Sequence, residues 1–446
     1  MVGAIHLMGV GGVGMAAVAE LLVAQGLRVS GCDSADSARL ARLRSLGVET
    51  RVGHSPDHLA GVGRVVVSSA VKEAEPELAA ARRDPAIEVE HRSQALARIA
   101  NRRRLVAVAG AHGKTTTSAM VVAALEAAGL DPSYAIGSEL VGRGSGARLG
   151  AGDIMVIEAD ESDGSFLNYR PEVAVVTNVE PDHLDHYGTP EALTQAFRDF
   201  AAQIRTPGVL IACDADPGAA ALANWARQRW EPRGREGIEA PAVWEYGDFS
   251  PGGEPPSTRL PGRHMALNAA AAGLVARWFG ADQAAARAGL LAFEGTARRF
   301  EERGEARGVR VVDDYAHHPT EIAATLAAAR EQAAGGRLLV VFQPHLYSRT
   351  ASFHAEFAEA LGAADRVWLM DVYGAREAPR PDVTSALIAD RMDPQTAVLA
   401  AALPGVREGI PAAVAGEARA GDLVITMGAG DVTDLADPIL AALAES

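Results

Sequence analysis

Short runs of consecutive apolar residues alternate along the chain with longer alanine-rich runs that are typical of helices. The short runs are continuous rather than alternating, which predicts strands that are covered on both faces, as in parallel α/β sheets. The alanine-rich runs predict the helices that cover them. The predicted strands span 4–10, 104–110, 153–159, 173–179, 309–315, 337–343, 366–372 and 422–428.

Two changes in sequence character predict domain boundaries. The basic stretch at 101–104 precedes a strong strand, and the run TARRFEERG follows a helical segment near residue 297. We therefore predict three α/β domains, which span 1–100, 101–297 and 298–446. Within the middle domain, the Pro- and Gly-rich stretch 206–262 predicts irregular loops with weak strands.

Composition and charge narrow the functional classes. The 446 residues include 42 Lys and Arg against 57 Asp and Glu, a formal net charge of −15. Such an acidic chain is a poor candidate for coating nucleic acid or for a polybasic membrane contact. There is no apolar run of about 18 residues and no charged, signal-like N-terminus, so we expect a cytoplasmic protein without a membrane partner. Cys32 and Cys213 have neither a disulfide framework nor a metal-finger spacing.

The first candidate site is the loop Gly9–Gly14, which matches G-x-G-x-x-G between a strand and a helix. Backbone amides of such a loop approach a phosphate at the helix N-terminus. Asp33 ends the next strand, 19 residues after Gly14, where a carboxylate suits a ribose hydroxyl. Taken alone, this pattern predicts a dinucleotide such as NAD.

The second candidate site is the loop Gly110–Thr117, which also joins a strand to a helix. Only two of the 42 basic residues are lysines, and one of them, Lys114, is in this loop. Lys114 can neutralise the β- and γ-phosphates of a nucleotide, and the Thr115 hydroxyl can bind Mg²⁺. The loop is shorter than a standard Walker A motif, which would need glycine at Val108.

Further polar motifs follow predicted strands, where parallel sheets bind ligands. The acidic segment 158–164 and the segment 178–186, with His183 among carboxylates, offer Mg²⁺ ligands. The segments 313–321, 343–350 and 427–431 bring His, Tyr and Arg side chains to the same edge of a third sheet.

The motifs occur in one order over nearly the whole chain: GVGGVGM, GAHGKTTT, EADESDGSF, TNVEPDHLDH, PGRHMALN, ARRF, DDYAHHPTEI, QPHLYSRT and MGAGD. Together they resemble the Mur ligases. The resemblance implies a Rossmann-like N-terminal domain that binds a UDP-sugar. It also implies a central P-loop ATPase-like domain with a parallel sheet, and a Rossmann-like C-terminal domain that binds an amino acid.

The family's chemistry is ATP-dependent amide formation in the presence of Mg²⁺. The γ-phosphoryl group of ATP activates a carboxylate as an acyl phosphate, and an amine then displaces phosphate. The motifs are most similar to those of members that join L-alanine to UDP-N-acetylmuramate. An alternative is a member that attaches a preformed peptide to the same sugar nucleotide during wall recycling. Both alternatives have small-molecule substrates and no nucleic-acid partner, with a monomer or homodimer expected.

The resemblance also implies roles for individual residues. The residues expected to act in catalysis are Lys114, Glu158, His183, His317 and Arg349. Those expected to hold ATP are Gly110, His112, Gly113, Lys114, Thr115, Thr116, His264, Asn268, Arg299, Asp313 and Asp314. Those expected to hold the UDP-sugar are Gly11, Gly12, Gly14, Asp33, Ser34, Ser68 and Ser69. Those expected to hold the amino acid are Tyr315, His317, His345 and Arg349. Those expected to hold Mg²⁺ are Thr115, Glu158 and His183.

The chain departs from the family pattern in places. Met265 stands where the family pattern has asparagine. The carbamylated lysine of some relatives has no counterpart, because Lys114 is committed to phosphate and Lys72 is the only other lysine. Two other classes stay open from the residues alone. They are a nicotinamide-dependent oxidoreductase that uses the first loop, and a nucleotide-gated binding protein without turnover.

Overall fold

The computed structural model describes residues 3–235, 239–247, 258–375, 377–400 and 406–445. The chain forms two compact units. The first unit consists of residues 1–258 and 266–293 and contains two sheets. The second unit consists of residues 259–265 and 294–446 and contains one sheet.

The N-terminal sheet has five parallel strands in the order β3-β2-β1-β4-β5. Its strands are β1 Ala4–Met8, β2 Val29–Asp33, β3 Glu49–Val52, β4 Val62–Val67 and β5 Glu88–His91. Its helices are α1 Val13–Ala24, α2 Ala38–Ser45, α3 Pro76–Arg83 and α4 Arg92–Ala100, with a 3-10 turn at Pro56–Leu59. Strand order reverses between β1 and β4, so the crevice for a ligand lies above the carboxyl ends of these two strands.

The second sheet has seven strands in the order β12-β11-β10-β6-β9-β7-β8, parallel except for the β7–β8 pair. Its strands are β6 Arg104–Ala109, β7 Ser133–Ala135, β8 Ala147–Arg148, β9 Ile154–Glu158, β10 Val173–Val176, β11 Val209–Cys213 and β12 Ala242–Tyr246. The helices that follow are α5 Lys114–Ala127, α6 Leu184–Tyr187, α7 Pro190–Ala201, α8 Pro217–Arg235, α9 Arg263–Trp278 and α10 Gln283–Ala292. The central strands are buried on both faces, so their carboxyl ends carry the loops that reach a ligand.

The third sheet has six strands in the order β13-β14-β18-β15-β16-β17, parallel except for the β13–β14 pair. Its strands are β13 Glu301–Ala306, β14 Val309–Asp314, β15 Leu338–Phe342, β16 Arg366–Leu369, β17 Ala397–Leu399 and β18 Leu423–Met427. Its helices are α11 Pro319–Gln332, α12 Tyr347–Leu361, α13 Ala386–Ala389, α14 Ile410–Glu417 and α15 Ala436–Glu445. Apolar side chains form a core on each face of this sheet.

The predicted α/β architecture with parallel sheets is confirmed. Each of the eight runs predicted as strands contains a strand of the structure, namely β1, β6, β9, β10, β14, β15, β16 and β18. The prediction for 206–262 was wrong in part where the structure describes it. The segment contains strands, as predicted, but β11 is fully buried rather than weak, and the 19-residue helix α8 lies between β11 and β12; residues 236–238 and 248–257 lie outside the described residues.

Helix α12 begins earlier than its sequence predicts. The pattern predicts a loop through 350 and a helix from 352, but α12 already begins at Tyr347. Arg349 therefore lies in the first turn of a helix rather than in a loop, and the backbone kinks at Phe353. Within the described parts of the chain, no helix is both long enough and apolar enough to cross a membrane.

Candidate functional site

The first glycine loop folds against the end of β2. The Asp33 carboxylate accepts a hydrogen bond from the Gly11 amide at 2.8 Å and one from the Ser34 hydroxyl at 3.3 Å. Arg39 donates to the Gly11 carbonyl oxygen at 2.5 Å. The structure thus brings Asp33 and Ser34 together with the loop at the carboxyl ends of β1 and β2.

The other residues predicted for this loop lie around the same crevice. Gly12 is the N-cap of α1 and donates its amide hydrogen to the Gly9 carbonyl oxygen at 3.2 Å. Gly14 follows in the first turn of α1, against the Arg92 guanidinium. Ser68 and Ser69 follow β4; Ser68 is half-buried and Ser69 is exposed.

The second glycine loop leads directly into α5. Gly110 and Gly113 have φ angles of 136° and 80°, which side chains other than glycine rarely adopt. None of the described side chains caps the first turn of α5, which begins at Lys114. The positive end of the helix dipole and its unpaired amides therefore face the loop, an arrangement that suits a phosphate.

The Lys114 ammonium folds back over its own loop. It donates to the carbonyl oxygens of Gly110 at 2.6 Å and Ala111 at 3.3 Å, and to the Glu161 carboxylate at 3.0 Å. Burial opposes its charge, but the carboxylates of Glu161, Asp160 and Glu158 outweigh burial and raise the pKa of Lys114. The lysine is therefore a permanent cation inside the loop.

Glu161 is one of the residues of this site that sequence reasoning missed. It is 1% exposed, and burial raises the pKa of its carboxyl group to about 7. The pKa of Asp160 is held low instead, because the attraction of Lys114 outweighs its burial. Three carboxylates against one ammonium leave a surplus of negative charge, and the most buried of them, Glu161, takes up a proton most readily. Its motif was visible in the sequence, but nothing there distinguished Glu161 from its neighbours.

Two predicted metal ligands lie beside this cluster. Thr115 donates its hydroxyl hydrogen to Glu158 Oε2 at 2.9 Å, and the Gly137 amide donates to the same oxygen at 2.9 Å. His183 Nε2 lies 3.6 Å from Glu161 Oε1, and the backbone of His183 has a φ of 55°. Positive φ at a residue other than glycine is a cost that folds tolerate mainly at functional positions. The structure thus brings Lys114, Thr115, Glu158 and His183 together.

Side chains from β10 and α9 hold the loop in shape. Asn178 accepts from the His112 amide at 3.0 Å and donates to the His112 carbonyl oxygen at 3.0 Å, while Thr177 donates to the same carbonyl oxygen at 2.6 Å. Asn268 accepts from the Thr117 hydroxyl at 3.0 Å. Thr116 is buried in the first turn of α5. Asn178 and Thr177 were not predicted, because their role depends on β10 lying beside β6.

The raised pKa of Glu161 predicts a pH-dependent stability. Between its ordinary pKa near 4.5 and its folded value of about 7, the folded chain holds a proton that the unfolded chain has lost. This group therefore lowers the stability of the folded chain as pH rises. We expect the stability of Glu161→Gln relative to the unmodified chain to increase between pH ~5 and ~8, measured by urea unfolding without nucleotide. The exposed carboxylate Glu305, changed to Gln, is the control, and a Glu161→Gln difference independent of pH would contradict the assignment.

In the second unit, the aromatic residues of the third sheet gather at its carboxyl edge. The Tyr315 and His317 rings are 5.2 Å apart between centroids, and the His317 and His345 rings are 5.8 Å apart. Burial lowers the pKa of His317, although the neighbouring Glu321 carboxylate, 3.1 Å from its Nδ1, opposes this. The imidazole is therefore neutral at pH 7. Arg349 is 8% exposed, and its positive charge also lowers the pKa of His317.

Arg299 and His264 lie in the same unit, next to this group. The Arg299 guanidinium stacks on Tyr315 at 5.0 Å from the ring centroid and contacts Glu321 at 3.3 Å. Burial, together with the positive charge of Arg299, lowers the pKa of His264 to about 4. Met265, which follows it, is 4% exposed.

Asp313 and Asp314, both expected to hold ATP, face inward. Asp313 accepts from the hydroxyls of Thr426 at 2.6 Å and Thr433 at 2.7 Å. Asp314 accepts from the Phe300 and Ala316 amides, each at 2.8 Å, and burial raises its pKa to about 6. Their oxygens are thus engaged within the unit, and a contact of either residue with ATP stays a prediction.

Three family models match the chain over most of its length. The model described as the Mur ligase family catalytic domain matches residues 4–104, the Mur ligase middle domain matches 108–276, and the Mur ligase glutamate ligase domain matches 298–430. The chain belongs to the Mur ligase family. Because Mur ligases are ATP-dependent ligases, the chain is an enzyme that uses ATP.

Curated relatives match the whole chain. A UDP-N-acetylmuramate–L-alanine ligase from Kineococcus radiotolerans is 54% identical, covering 99% of this chain and 97% of its own length. A relative of the same name from Renibacterium salmoninarum is 48% identical, covering 99% of this chain and 96% of its own. The matched region includes all three sheets of this chain.

Solved structures of Mur ligases share the fold. The UDP-N-acetylmuramate-alanine ligase of Thermotoga maritima aligns with a TM-score of 0.77 at 25% identity over 98% of each chain. A murein peptide ligase from Psychrobacter arcticus aligns with a TM-score of 0.69 at 24% identity, covering 100% of this chain and 99% of its own. An identity of 24% shows a shared fold and nothing further. Since an alanine ligase and a peptide ligase both share the fold of this chain, the fold does not distinguish between these two kinds of Mur ligase.

Proposed function

We propose that the chain joins L-alanine to the carboxylate of UDP-N-acetylmuramate, with conversion of ATP to ADP and phosphate. The observation that carries the proposal is the position of Lys114, a half-buried cation in the second glycine loop, beside the acidic and imidazole side chains of Glu158, Glu161 and His183. The relatives at 54% and 48% identity favour alanine, rather than a preformed peptide, as the substrate that is joined to UDP-N-acetylmuramate. Both nucleotide substrates are cytoplasmic metabolites, and we place the reaction there.

The ATP phosphates are proposed to lie over the loop Gly110–Thr116. Lys114 then exchanges its bonds to the loop carbonyl oxygens for bonds to phosphate oxygens, and the amides of the first turn of α5 bind the same group. His112 and Asn268 would sit at the edges of this site, and His264 and Arg299 are also proposed to contact the nucleotide. Phosphoryl transfer requires this kind of charge neutralisation more than any covalent help.

Mg²⁺ is proposed to bind at Thr115, Glu158 and His183. The fit rests on the chemistry of the donors, since hydroxyl and carboxylate oxygens suit Mg²⁺, and on the surplus negative charge around Lys114. When bound, Mg²⁺ neutralises phosphate charge during transfer. The hydrogen bond of 2.9 Å from the Thr115 hydroxyl to Glu158 Oε2 keeps these two oxygens side by side.

The UDP-sugar is proposed to bind at the first glycine loop. Its diphosphate would approach the amides of Gly11, Gly12 and Gly14 at the start of α1. Asp33 and Ser34 would face the uridine ribose, and Ser68 and Ser69 the phosphates. The crevice between β1 and β4 supports this choice, because parallel sheets bind nucleotides at the point where strand order reverses.

Alanine is proposed to bind among Tyr315, His317, His345 and Arg349. A guanidinium can hold the alanine carboxylate through two parallel hydrogen bonds. The attacking amine must be neutral, and His317, kept neutral by its burial, is the proposed proton acceptor. The amine then attacks the acyl phosphate carbon, the C–N bond forms as the C–O bond to phosphate breaks, and phosphate leaves with its electron pair.

Three domains are proposed, with boundaries at 1–100, 101–297 and 298–446. The three separate sheets and the three family-model ranges support these boundaries. Each domain would then supply one substrate site: the sugar nucleotide, ATP and the amino acid.

The substrate proposal predicts a specific pattern of phosphate release. We expect release from ATP that requires both UDP-N-acetylmuramate and L-alanine, and that is far slower with a wall tripeptide in place of alanine. Glycine and L-serine, which differ from alanine by one small group, measure how tightly the pocket selects; a single methylene is worth roughly 10- to 200-fold. Tripeptide-dependent release without alanine-dependent release would favour the recycling alternative. Release with neither would reject the proposal.

A further inference from the structure

A second cluster of reactive side chains lies inside the N-terminal sheet, away from the phosphate loop. It combines one residue from each of β1 and β2, two from the segment after β3, and one from the first turn of α3. We call it the His–Cys–Glu cluster, and its members are His6, Cys32, His54, His58 and Glu77. We propose that it binds one Zn²⁺ ion through His6, Cys32, His58 and Glu77.

The donor atoms of the cluster already converge. The four proposed ligand atoms all lie within 4.8 Å of one another. Glu77 Oε1 lies 2.9 Å from His6 Nε2 and 3.0 Å from His58 Nδ1, and Glu77 Oε2 lies 3.2 Å from Cys32 Sγ. A tetrahedral zinc ion with bonds of about 2.0–2.3 Å separates its ligand atoms by roughly 3.3–3.8 Å. Small side-chain rotations therefore complete the coordination.

The His6 ring directs its buried Nε2 atom at the Glu77 carboxylate, 2.9 Å from Oε1, and among the described residues it has no well-aligned hydrogen-bond partner. Its other nitrogen, Nδ1, lies 2.9 Å from the Ser30 hydroxyl oxygen. A second partner of this kind fixes the orientation of a metal-binding imidazole and leaves the first nitrogen for the metal.

The charge of the cluster also calls for a cation. Glu77 is fully buried, and its carboxylate oxygens contact the rings of His6, His54 and His58, whereas across the described ranges no lysine or arginine forms an ion pair with it. A buried carboxylate with no permanent cation beside it is costly. One Zn²⁺ with the Glu77 carboxylate, the Cys32 thiolate and two neutral imidazoles has no net charge. The thiol proton leaves to solvent as the S–Zn bond forms.

The donor set selects a transition metal over Mg²⁺. Thiolate and imidazole ligands suit zinc, whereas Mg²⁺ prefers oxygen donors in an octahedral arrangement. A cavity of about 190 Å³ borders the cluster on the side of His6 and His58. Cys32 precedes Asp33, whose carboxylate holds the Gly11 amide, so an ion bound here would stiffen the end of β2 beneath the first glycine loop.

The test uses the full chain, freed of metal with a chelator and titrated with Co²⁺ in excess Mg²⁺, which occupies oxygen-donor sites. We expect one Co²⁺ per chain with a thiolate-to-cobalt charge-transfer band, and Zn²⁺ should remove that band by displacement. Cys32→Ser should abolish the band, and Cys213→Ser, the buried thiol of β11, should retain it. His58→Gln should weaken cobalt binding by about 10- to 100-fold or more.

Three outcomes would contradict the proposal. The absence of a thiolate band in the unmodified chain overturns it, as does a band that persists in Cys32→Ser or disappears in Cys213→Ser. Circular dichroism of each variant shows whether it has folded. If Cys32→Ser does not fold, His58→Gln, whose side chain is 9% exposed, carries the test through its weaker binding. Because the readout is metal binding, its result is independent of the ligase activity.

Discussion

Replacing Lys114 by alanine is expected to slow alanine-dependent phosphate release from ATP by about 10³-fold or more. The ammonium is the one side-chain cation that contacts the carbonyl oxygens of the phosphate loop, among the described residues. Without it, the γ-phosphoryl group would meet three carboxylates with no neighbouring ammonium, so both ATP affinity and the transfer step should suffer. Steady-state phosphate release at saturating UDP-N-acetylmuramate and alanine measures the loss.

The other lysine provides a matched control. Lys72 is exposed in a turn before α3, and Lys72→Ala removes the same charge from the surface. We expect its activity to stay within about twofold of the unmodified chain, since surface substitutions have small effects. If Lys114→Ala retained most of the activity while remaining folded, the phosphate loop would not be the ATP site, and the proposed function would fail with it.

The second large effect is expected from Glu158→Gln. Glutamine keeps an oxygen for the Thr115 hydroxyl and the Gly137 amide, so the local fold is preserved and only the charge is lost. We expect a loss of about 10²- to 10³-fold in turnover, together with a higher Mg²⁺ concentration for half-maximal activity. Titration of activity with Mg²⁺ measures both quantities.

A neighbouring carboxylate, Asp163, provides a control that separates Mg²⁺ binding by Glu158 from the general effect of removing a negative charge. Asp163 belongs to the same acidic segment, but its carboxylate accepts a hydrogen bond from the Ser165 amide at 2.9 Å and serves a turn. Asp163→Asn should leave the Mg²⁺ requirement unchanged. If Glu158→Gln and Asp163→Asn shifted the Mg²⁺ requirement equally, the metal would not be held specifically by Glu158.

The sequence was most informative where one short segment carries both the structure and the chemistry. The loop around Lys114 is such a case, because a buried strand, two glycines and the start of a helix are consecutive in the chain. The buried strands β6, β9 and β10 are evident from continuous apolar runs. The polar segments that follow them must meet at one sheet edge, since parallel strands end on the same side.

The sequence was least informative where partners come from distant segments. Asn178 holds the His112 backbone because β10 and β6 are neighbours, which strand order alone decides. Glu161 acquires its raised pKa from burial, which no motif reveals. Strand β11 was expected only as a weak strand, because the Pro- and Gly-rich sequence around it obscured a run of five buried residues.

The order of the motifs by itself determined the family, the three sheets and the phosphate loop of this protein. Those features depend on residues close together in the chain, whose spacing is independent of the rest of the fold. Only the tertiary structure decided which carboxylate pairs with Lys114, and that His6, Cys32, His58 and Glu77 converge. Charge and burial at a point depend on every segment that packs there, and the sequence does not state which segments those are.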